Sequence, residues 1–406
     1  MSSFSSTEPK PDIKVDVLIV GGGVAGLWTL AELRARGVNA ILVENTALGS
    51  GQTIWSQGIL HSGLKYALDG ISNTASAGIG DSPARWRRCL AGESKPDLGA
   101  VSVRSDRHYL WRNDSIVSRL GMVGARLAMR TPPAPVPFDQ RPPALRDVKG
   151  EVLSVDEQVI DPVSLLRSLA SLHQDRIGHA QVVGIDAGKA GVDVGIQSQH
   201  GDQMIRADHL ALTAGNGNAA LRELAGLDPK SQQVRPLRMI MVRSPELTPL
   251  AAHCVQGKST RATITSPVDS EGRVIWQLGG EIAERSIDMT DEQAIDHAHQ
   301  EMTEILPHIN WSQAEWGTYD APRAEGRTKS GGRPGAEVIL QEGRIFTAWP
   351  TKLVLAPQVG ARIAELLPPL QVSEEFCDQL LMPPIARPPW DKQEAWSVLT
   401  PQASAE

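Results

Sequence analysis

A buried strand followed by three closely spaced glycines sets the strongest constraint on the fold of this chain. Residues 17–20 read Val-Leu-Ile-Val, and residues 21–26 continue Gly-Gly-Gly-Val-Ala-Gly. A continuous apolar run is typical of a strand that is buried on both faces of a parallel sheet. In a Gly-x-Gly-x-x-Gly sequence the glycines permit a tight turn, a close approach of the backbone to a pyrophosphate, and close packing of helix on strand. We therefore predict a dinucleotide-binding βαβ unit whose contacts come from Gly21, Gly23, Val24, Ala25 and Gly26.

An acidic residue closes this unit at the expected distance. The apolar run 38–43 predicts a second strand, and Glu44 follows it, 18 positions after Gly26. An acid about 20 residues past the last glycine binds ribose hydroxyls in such units. An acid there also disfavours the 2′-phosphate of NADP. The complete pattern indicates a site for the ADP part of a dinucleotide, with Glu44 on the ribose.

Composition narrows the class of protein further. The 406 residues, 41% of them hydrophobic, favour two domains. A net charge of −7 gives no support to nucleic acid as a partner. No apolar run approaches the roughly 20 residues that cross a bilayer, so we expect no transmembrane segment. The cysteines Cys89, Cys254 and Cys377 form no metal or disulfide spacing, so we predict no metal site and a cytoplasmic location.

The segment after the βαβ unit resembles part of a known family. A loop rich in Gly, Ser, Thr and Gln, residues 45–58, leads into Ile-Leu-His-Ser-Gly-Leu-Lys-Tyr at 59–66. This sequence resembles the Ile-His-Gly-Gly-Leu-Arg-Tyr segment of FAD-dependent glycerol-3-phosphate dehydrogenases and is similar to the Ile-His-Ala-Gly segment of L-2-hydroxyglutarate dehydrogenases. Both belong to the D-amino acid oxidase family of flavoproteins. The resemblance implies that FAD is the cofactor and that the loop follows its ribityl chain through Gly51, Gln52, Thr53, Gln57 and Gly58.

Later segments follow the order of the same family. Asp161-Pro162 predicts a helix start with Asp161 as N-cap, and strands are expected at 181–185, 192–197, 203–207 and from His209 to Ala214. The resemblance implies that the backbone of Val182 or Val183 contacts adenine. It also implies that Ala214 and Gly215 lie at the pyrophosphate.

The last such segment is a strand, a turn and a helix between residues 344 and 367. It resembles the family segment that directs a helix N-terminus at the flavin O2, where positive dipole stabilises negative charge. Family members usually carry a Gly-x-x-x-Gly turn here, whereas this chain has Ala-Trp-Pro-Thr-Lys at 348–352. We expect the flavin contacts from Pro350, Thr351, Lys352 and Leu353.

These signals predict an α/β fold with two domains. The first is a Rossmann-like FAD-binding domain of the glutathione reductase type, and the second is an α+β substrate domain on a mainly antiparallel sheet. The β-rich runs 237–242, 262–266 and 274–278 support that sheet. The expected boundaries are 14–75, 150–225 and 325–372 for the FAD-binding domain, 76–149 and 226–324 for the substrate domain, and 373–406 for a C-terminal tail.

Two residues are candidates for the chemistry. His61 is suited to accept a hydroxyl proton near neutral pH; the alternatives are a hydrogen bond to the loop backbone or covalent attachment of FAD. Arg323 matches a family arginine that binds the substrate carboxylate, and a guanidinium fork pairs a carboxylate or phosphate with two hydrogen bonds. A structural role in the loop is the alternative for Arg323.

The predicted function is therefore an FAD-dependent oxidoreductase. It would take a hydride from a small polar, anionic substrate at a CH–OH bond, such as a 2-hydroxy acid or a polyol phosphate. The alternatives are an amino acid or amine oxidase acting at CH–NH, an NAD-dependent dehydrogenase, and a non-catalytic FAD-binding protein. The sequence leaves the electron acceptor open among oxygen, a quinone and a carrier protein.

Overall fold

The computed structural model describes residues 13–62, 80–112, 133–257, 259–368, 380–394 and 396–399. They are organised around one sheet of seven strands and one of nine. Two-stranded sheets are formed by Val103–Ser105 with Val159–Ile160 and by Gln232–Arg235 with Arg323–Gly326. The predicted combination of an α/β layer with a second, mainly antiparallel sheet is confirmed.

The seven-stranded sheet contains the strand that precedes the glycines. Each strand pairs with the next in the order Ile13–Val20, Ala40–Glu44, Ile177–Ala187, Val192–Ser198, Gly201–Leu212, Ile345–Trp349 and Val338–Glu342, and the first also pairs with Gly201–Leu212. Ile13–Val20 pairs in parallel with Ala40–Glu44 on one side and with the end of Gly201–Leu212 on the other. Parallel pairing brings the carboxyl ends of these strands to one edge, where ligands bind in such sheets.

One strand of this sheet is longer than the sequence suggested. The two segments expected at 203–207 and 209–214 form a single strand, Gly201–Leu212. Its first part pairs in antiparallel fashion with Val192–Ser198, and residues 210–212 pair in parallel with Ile345–Trp349. The strand is therefore continuous, although it pairs with different neighbours along its length. The polar residues at 206 and 208 had suggested two separate strands.

Four helices cover one face of the parallel strands: Val24–Ala35, Ser82–Leu90, Pro162–Ser171 and Ala356–Leu366. Asp161 is the N-cap of its helix, as predicted, and its carboxylate accepts the Ser164 N–H at 2.6 Å. The helix Ser82–Leu90 was expected within the substrate domain (76–149). Its Trp86 instead packs on Trp28 with ring centroids 4.5 Å apart, because the apolar side of this helix faces the helices of the seven-stranded sheet.

The nine-stranded sheet forms the second layer. Its strands, in spatial order, are Ser397–Val398, Glu315–Asp320, Arg238–Arg243, Ile275–Gly279, Ser259–Thr265, Ala252–Gln256, His108–Arg112, Val152–Val155 and Ala134–Pro135. Helices Glu281–Arg285 and Asp291–Ile305 pack on it. The second of these helices begins with a capping box in which Thr290 and Gln293 bond each other's backbone N–H groups. Buried tryptophans, among them Trp276 and Trp316, fill the core between the nine-stranded sheet and its helices.

The C-terminal segment is part of the fold where it is described, contrary to the expected tail at 373–406. Leu48 exchanges backbone hydrogen bonds with Pro384 and Ala386, at 2.8 and 3.0 Å. Trp390 is buried against Met241 and Ile275 of the nine-stranded sheet. Apolar contacts and backbone hydrogen bonds hold this segment in the fold, whereas its prolines had suggested an appended tail. Within the described ranges, every helix falls short of the length and apolarity that a membrane span requires.

Candidate active site

The predicted glycine turn is a tightly packed junction. Gly21 has a φ of 111°, and a Cβ there would lie 2.5 Å from the Cα of Ala214. A Cβ on Gly26 would lie 2.0 Å from the carbonyl oxygen of Gly21 and 2.7 Å from Thr213 Oγ1. Both glycines are therefore required for the contact of helix Val24–Ala35 with the strand ends.

Gly23, in contrast, borders open space. A Cβ there would meet only Thr53 Oγ1, at 3.3 Å. Gly23 is the N-cap of helix Val24–Ala35, and the Val24 N–H donates to Thr53 Oγ1 at 3.0 Å. A helix N-terminus with room in front of its N–H groups fits a pyrophosphate.

Glu44 lies beside this turn at the end of its strand. Its buried carboxylate accepts the Gly22 N–H at 2.7 Å and the Thr46 N–H at 3.0 Å. The acid is thus held at the mouth of the glycine turn. The turn and the acid together fit the ADP part of FAD.

The loop 51–58 joins the two large sheets. Gln52 Oε1 accepts the Ala324 N–H at 3.0 Å. Gln57 Nε2 donates to the carbonyls of Thr263 and Gln277, each at 3.1 Å. Gly58 has a φ of 74°, and a Cβ there would lie 2.0 Å from the Ile160 carbonyl oxygen, whereas a Cβ on Gly51 would meet no atom within 4 Å.

The end of strand Gly201–Leu212 approaches the closing segment. The Ala214 N–H donates to Asn218 Oδ1 at 2.8 Å, and Asn218 Nδ2 donates to the Ala348 carbonyl at 3.2 Å. Gly215 has a φ of 55° and lies close to Gln52. Ala214 and Gly215 therefore lie where the glycine turn, loop 51–58 and the closing strand meet.

The two adenine candidates differ in their surroundings. Val182 is buried, whereas Val183 is exposed on the surface. The register between Ile177–Ala187 and Val192–Ser198 shifts between Val182 and Gly184. Such a shift is typical of a β-bulge, and it leaves Val183 outside the regular pairing of the two strands.

The closing turn differs from the glycine turn of the resembling family. Thr351 has a φ of 62°, a value rare for a residue with a side chain, and its hydroxyl donates to the Ala336 carbonyl at 3.3 Å. The Lys352 N–H donates to the Pro350 carbonyl at 2.7 Å, and Leu353 then begins a short 3-10 turn. Burial, followed by the charge of Arg333, lowers the pKa of Lys352 to about 8.

One cavity contains both predicted catalytic residues. His61 and Arg323 line it together with Gln57, Thr263, Gly280 and Arg333. Burial lowers the pKa of Arg323 to about 10, and the charges of Arg333 and Arg235 add to this effect. Positive charges gathered around a cavity favour an anion between them.

Arg333 was not predicted from the sequence. This residue lies in a Gly-Gly-Arg-Pro-Gly loop, which has the composition of an ordinary turn. Only the fold brings the loop back to the cavity beside Arg323.

The buried carboxylate of Glu157, which lies behind His61, was also not predicted from the sequence. Glu157 Oε2 lies 3.3 Å from His61 Nδ1, and Oε1 accepts the Ser62 N–H at 2.7 Å and the Ser62 hydroxyl at 2.9 Å. His253 Nε2 lies 3.9 Å from the same Oε2. Burial opposes ionisation of Glu157, but the imidazoles of His61 and His253 outweigh it and hold the pKa of Glu157 well below its usual range.

The ligand atoms of His61, Glu157 and His253 all lie within 4.8 Å of one another, so this group could hold a metal ion. The prediction of no metal site rested on the cysteines, which form no metal spacing; His61, Glu157 and His253 are distant along the chain and form no spaced motif. Residues 63–66, the end of the segment that carried the family resemblance, fall outside the described residues.

The parallel sheet, its glycine turn and the terminal acid fit a dinucleotide-binding protein. Comparison with known proteins makes the assignment specific. A family profile, DAO, described as FAD dependent oxidoreductase, matches residues 16–356. The chain belongs to this family and is an FAD-dependent oxidoreductase. The predicted family, enzyme class and cofactor are confirmed.

One relative matches almost end to end. The probable FAD-dependent oxidoreductase PA4991 of Pseudomonas aeruginosa is 39% identical over 387 residues, which cover 93% of this chain and 98% of that protein. The crystal structure of PA4991 has a TM-score of 0.78 at 36% identity and covers 95% of this chain and 99% of that chain.

Other relatives are more distant. Glycerol-3-phosphate dehydrogenase 1 of Mycobacterium tuberculosis is 24% identical over 308 residues, which cover 69% of this chain and 54% of that protein. This chain therefore matches about half of that dehydrogenase. L-alpha-glycerophosphate oxidase of Mycoplasma pneumoniae, solved with FAD bound, has a TM-score of 0.65 at 16% identity and covers 87% of this chain and 94% of that chain, a likeness of fold alone.

Proposed function

We propose that this oxidoreductase acts at the CH–OH bond of a small, polar, anionic substrate, such as a 2-hydroxy acid or a polyol phosphate. The observation that carries the proposal is the single cavity in which His61 lies with the guanidinium groups of Arg323 and Arg333. An imidazole is suited to take a hydroxyl proton, and two guanidinium groups are suited to an anion. The name of the mycobacterial relative, a glycerol-3-phosphate dehydrogenase, also supports this substrate class.

FAD, when bound, supplies the acceptor for the hydride that leaves the substrate carbon. We propose that the chain holds it through the glycine turn (Gly21, Gly23, Val24, Ala25, Gly26), Glu44, the loop residues Gly51, Gln52, Thr53, Gln57 and Gly58, the backbone of Val182 or Val183, Ala214 with Gly215, and residues Pro350, Thr351, Lys352 and Leu353. The open space before Gly23 and the position of Glu44 support this set.

The substrate would be oriented by charge. Arg323 and Arg333 bind its anionic group, which leaves the hydroxyl near His61. Burial of Arg323 strengthens such a contact, because charges attract more strongly away from water. His61 then holds the hydroxyl proton as the carbonyl product forms.

A second candidate is oxidation at CH–NH. An anchoring arginine is equally suited to the carboxylate of an amino acid, and the solved glycine oxidase of Geobacillus kaustophilus shares the fold with a TM-score of 0.61. The ammonium group of an amino acid gives up its proton to water far more readily than an alcohol does, so this reaction has less need of His61. The position of His61 in the cavity therefore favours CH–OH.

We propose a two-domain division in which the seven-stranded and nine-stranded sheets carry cofactor and substrate binding respectively. The boundaries follow those predicted, except that residues 80–101 join the FAD-binding domain, as the contacts of Trp86 support. We also propose a reducing, cytoplasmic location, supported by the buried thiol of Cys89, which forms no disulfide. The acceptor that reoxidises FAD is oxygen, a quinone or a carrier protein.

Anaerobic substrate trials test the proposed reaction. FAD-loaded protein is mixed with sn-glycerol 3-phosphate, L-lactate, both enantiomers of 2-hydroxyglutarate, glycine and D-alanine, and the visible flavin absorbance is followed. We expect bleaching by at least one anionic hydroxy compound. Bleaching by the amino acids alone would establish the CH–NH reaction instead, and glycerol without its phosphate is the control for the role of the anion.

A further inference from the structure

We infer that Glu157 is a positioning residue: it holds His61 in the tautomer with the proton on Nδ1, so that the unprotonated Nε2 faces the cavity as the proton acceptor. The inference rests on the proposed CH–OH reaction for its catalytic meaning. The tautomer itself is a property of the protein that can be measured without a substrate.

The hydrogen bonds around Glu157 determine which atom carries the proton. Its Oε1 is taken by the Ser62 N–H and hydroxyl, at 2.7 and 2.9 Å, and its Oε2 faces His61 Nδ1 at 3.3 Å. An ionised carboxylate only accepts hydrogen bonds, so the nitrogen that it contacts must be the donor. In a neutral imidazole the proton on Nδ1 leaves Nε2 as the acceptor.

The surroundings keep the carboxylate ionised. The Glu157 side chain is 1% exposed, and its Oε1 accepts hydrogen bonds from both the Ser62 N–H and the Ser62 hydroxyl, which favour the ionised form. Glu157 is therefore the fixed negative charge of this cluster.

The fold directs the other side of the His61 ring to the substrate. His61 lines the cavity that contains Arg323, and its Nδ1 is turned towards Glu157. The nitrogen left for the cavity is Nε2. In the proposed reaction the substrate O–H bond would break as an Nε2–H bond forms on His61, and FAD, when bound, would accept the hydrogen on carbon with its electron pair. The resulting imidazolium is stabilised by the adjacent Glu157 carboxylate.

A one-atom substitution separates positioning from packing. The Ser62 backbone N–H can only donate a hydrogen bond, so in Glu157→Gln it must bond to the amide oxygen of the new side chain. The amide NH₂ then faces His61 Nδ1, which must become an acceptor, and the ring proton moves to Nε2. In the serine protease triad the comparable carboxylate-to-amide change leaves the geometry intact and lowers kcat by about 10⁴ through the wrong tautomer.

The primary readout is the tautomer. Long-range ¹H–¹⁵N correlation spectra of FAD-loaded protein with ¹⁵N-labelled histidine report which nitrogen is protonated, and His61→Gln assigns the signal. We expect Nδ1–H in the wild type and Nε2–H in Glu157→Gln, with Nδ1–H kept in Glu157→Asp. The matched control is Asp156→Asn, because Asp156 is the neighbouring acid and pairs with Arg87 away from the cavity.

The second readout is the rate of flavin bleaching by a compound that bleaches the wild type. We expect Glu157→Gln to lower it by 10²-fold or more at unchanged FAD content, and Asp156→Asn to leave it unchanged. An Nε2–H tautomer of His61 in the wild type would overturn the inference. The wild-type tautomer can be measured even if the Glu157 variants do not fold. Stoichiometric metal in the purified protein that is lost in Glu157→Gln would also overturn it. Failure of the proposed function would show differently, as Nδ1–H without bleaching by any hydroxy compound.

Discussion

Replacing Gly26 by alanine tests the role of the glycine turn. The added Cβ would lie 2.0 Å from the Gly21 carbonyl oxygen, where real Cβ contacts essentially never fall below 3.0 Å. The oxygen belongs to the backbone, so no side-chain rotation relieves the contact. Either helix Val24–Ala35 or the turn must move by about 1 Å to reach that separation.

Both movements displace the N–H groups that we propose for the pyrophosphate. Overpacking of this kind costs about 1–3 kcal/mol, which corresponds to about a 5- to 150-fold loss of affinity if it falls on the binding-competent state. We therefore expect Gly26→Ala to bind FAD about 5- to 150-fold more weakly. The assay is titration of FAD-free protein with FAD, followed by flavin fluorescence.

Gly188→Ala is the matched control. A Cβ at Gly188 would come no closer than 3.6 Å to another residue, the Gly191 carbonyl oxygen, and Gly188 lies in a hairpin of the seven-stranded sheet outside the proposed site. The same affinity in Gly26→Ala, Gly188→Ala and wild type would refute the reasoning.

Three further substitutions probe the substrate anchor, the buried lysine and the C-terminal segment. Arg323→Ala should retain FAD and raise KM for the anionic substrate about 10- to 150-fold, as loss of a charged hydrogen bond of about 1.5–3 kcal/mol implies; an unchanged KM would contradict the anchor. Because the pKa of Lys352 is about 8 in the folded chain against 10.5 ordinarily, the unfolded chain binds more protons between these values, and stability rises with pH there. Urea midpoints of FAD-free protein should place wild type below Lys352→Met at pH 7, with the gap closing by pH 10, whereas a constant gap would contradict this. Trp390→Ala should cost about 3 kcal/mol in the free energy of unfolding and more than Trp396→Ala, whose ring is half-buried against Arg243; equal losses would contradict the burial argument.

Local signals explain what the sequence predicted well. The glycine turn, Glu44 and the Asp161 cap each depend on residues within one strand-turn-helix unit, where backbone conformation and hydrogen bonding follow from neighbours in the chain. The structure places Gly21 and Gly26 in the contacts that such a turn requires. The roles of these residues in binding FAD remain proposals.

Contacts between distant segments could not be predicted. His61 and Glu157 are 96 positions apart, and nothing around Glu157 marks it as a partner for an imidazole. Arg333 sits in a loop of ordinary composition. The segment from 380 onward was expected to be a tail because its prolines oppose helices and strands, but Trp390 is fixed by apolar contacts that depend on the nine-stranded sheet. In each case the deciding interaction exists only once both sheets are formed.

The position of the cavity follows from the same loop that carries the family resemblance. Gln57 is bonded to carbonyls of two strands of the nine-stranded sheet, while Gln52 is bonded to Ala324, next to Arg323. Loop 51–58 therefore fixes the distance between the edge of the seven-stranded sheet and the proposed anion site. His61, three residues after Gly58, is carried on this same connection and is held from behind by Glu157. A loop that joins the proposed cofactor site, the proposed anchor and the proposed base couples their relative positions. A substitution such as Gln57→Leu should therefore both weaken FAD binding and raise KM for the anionic substrate.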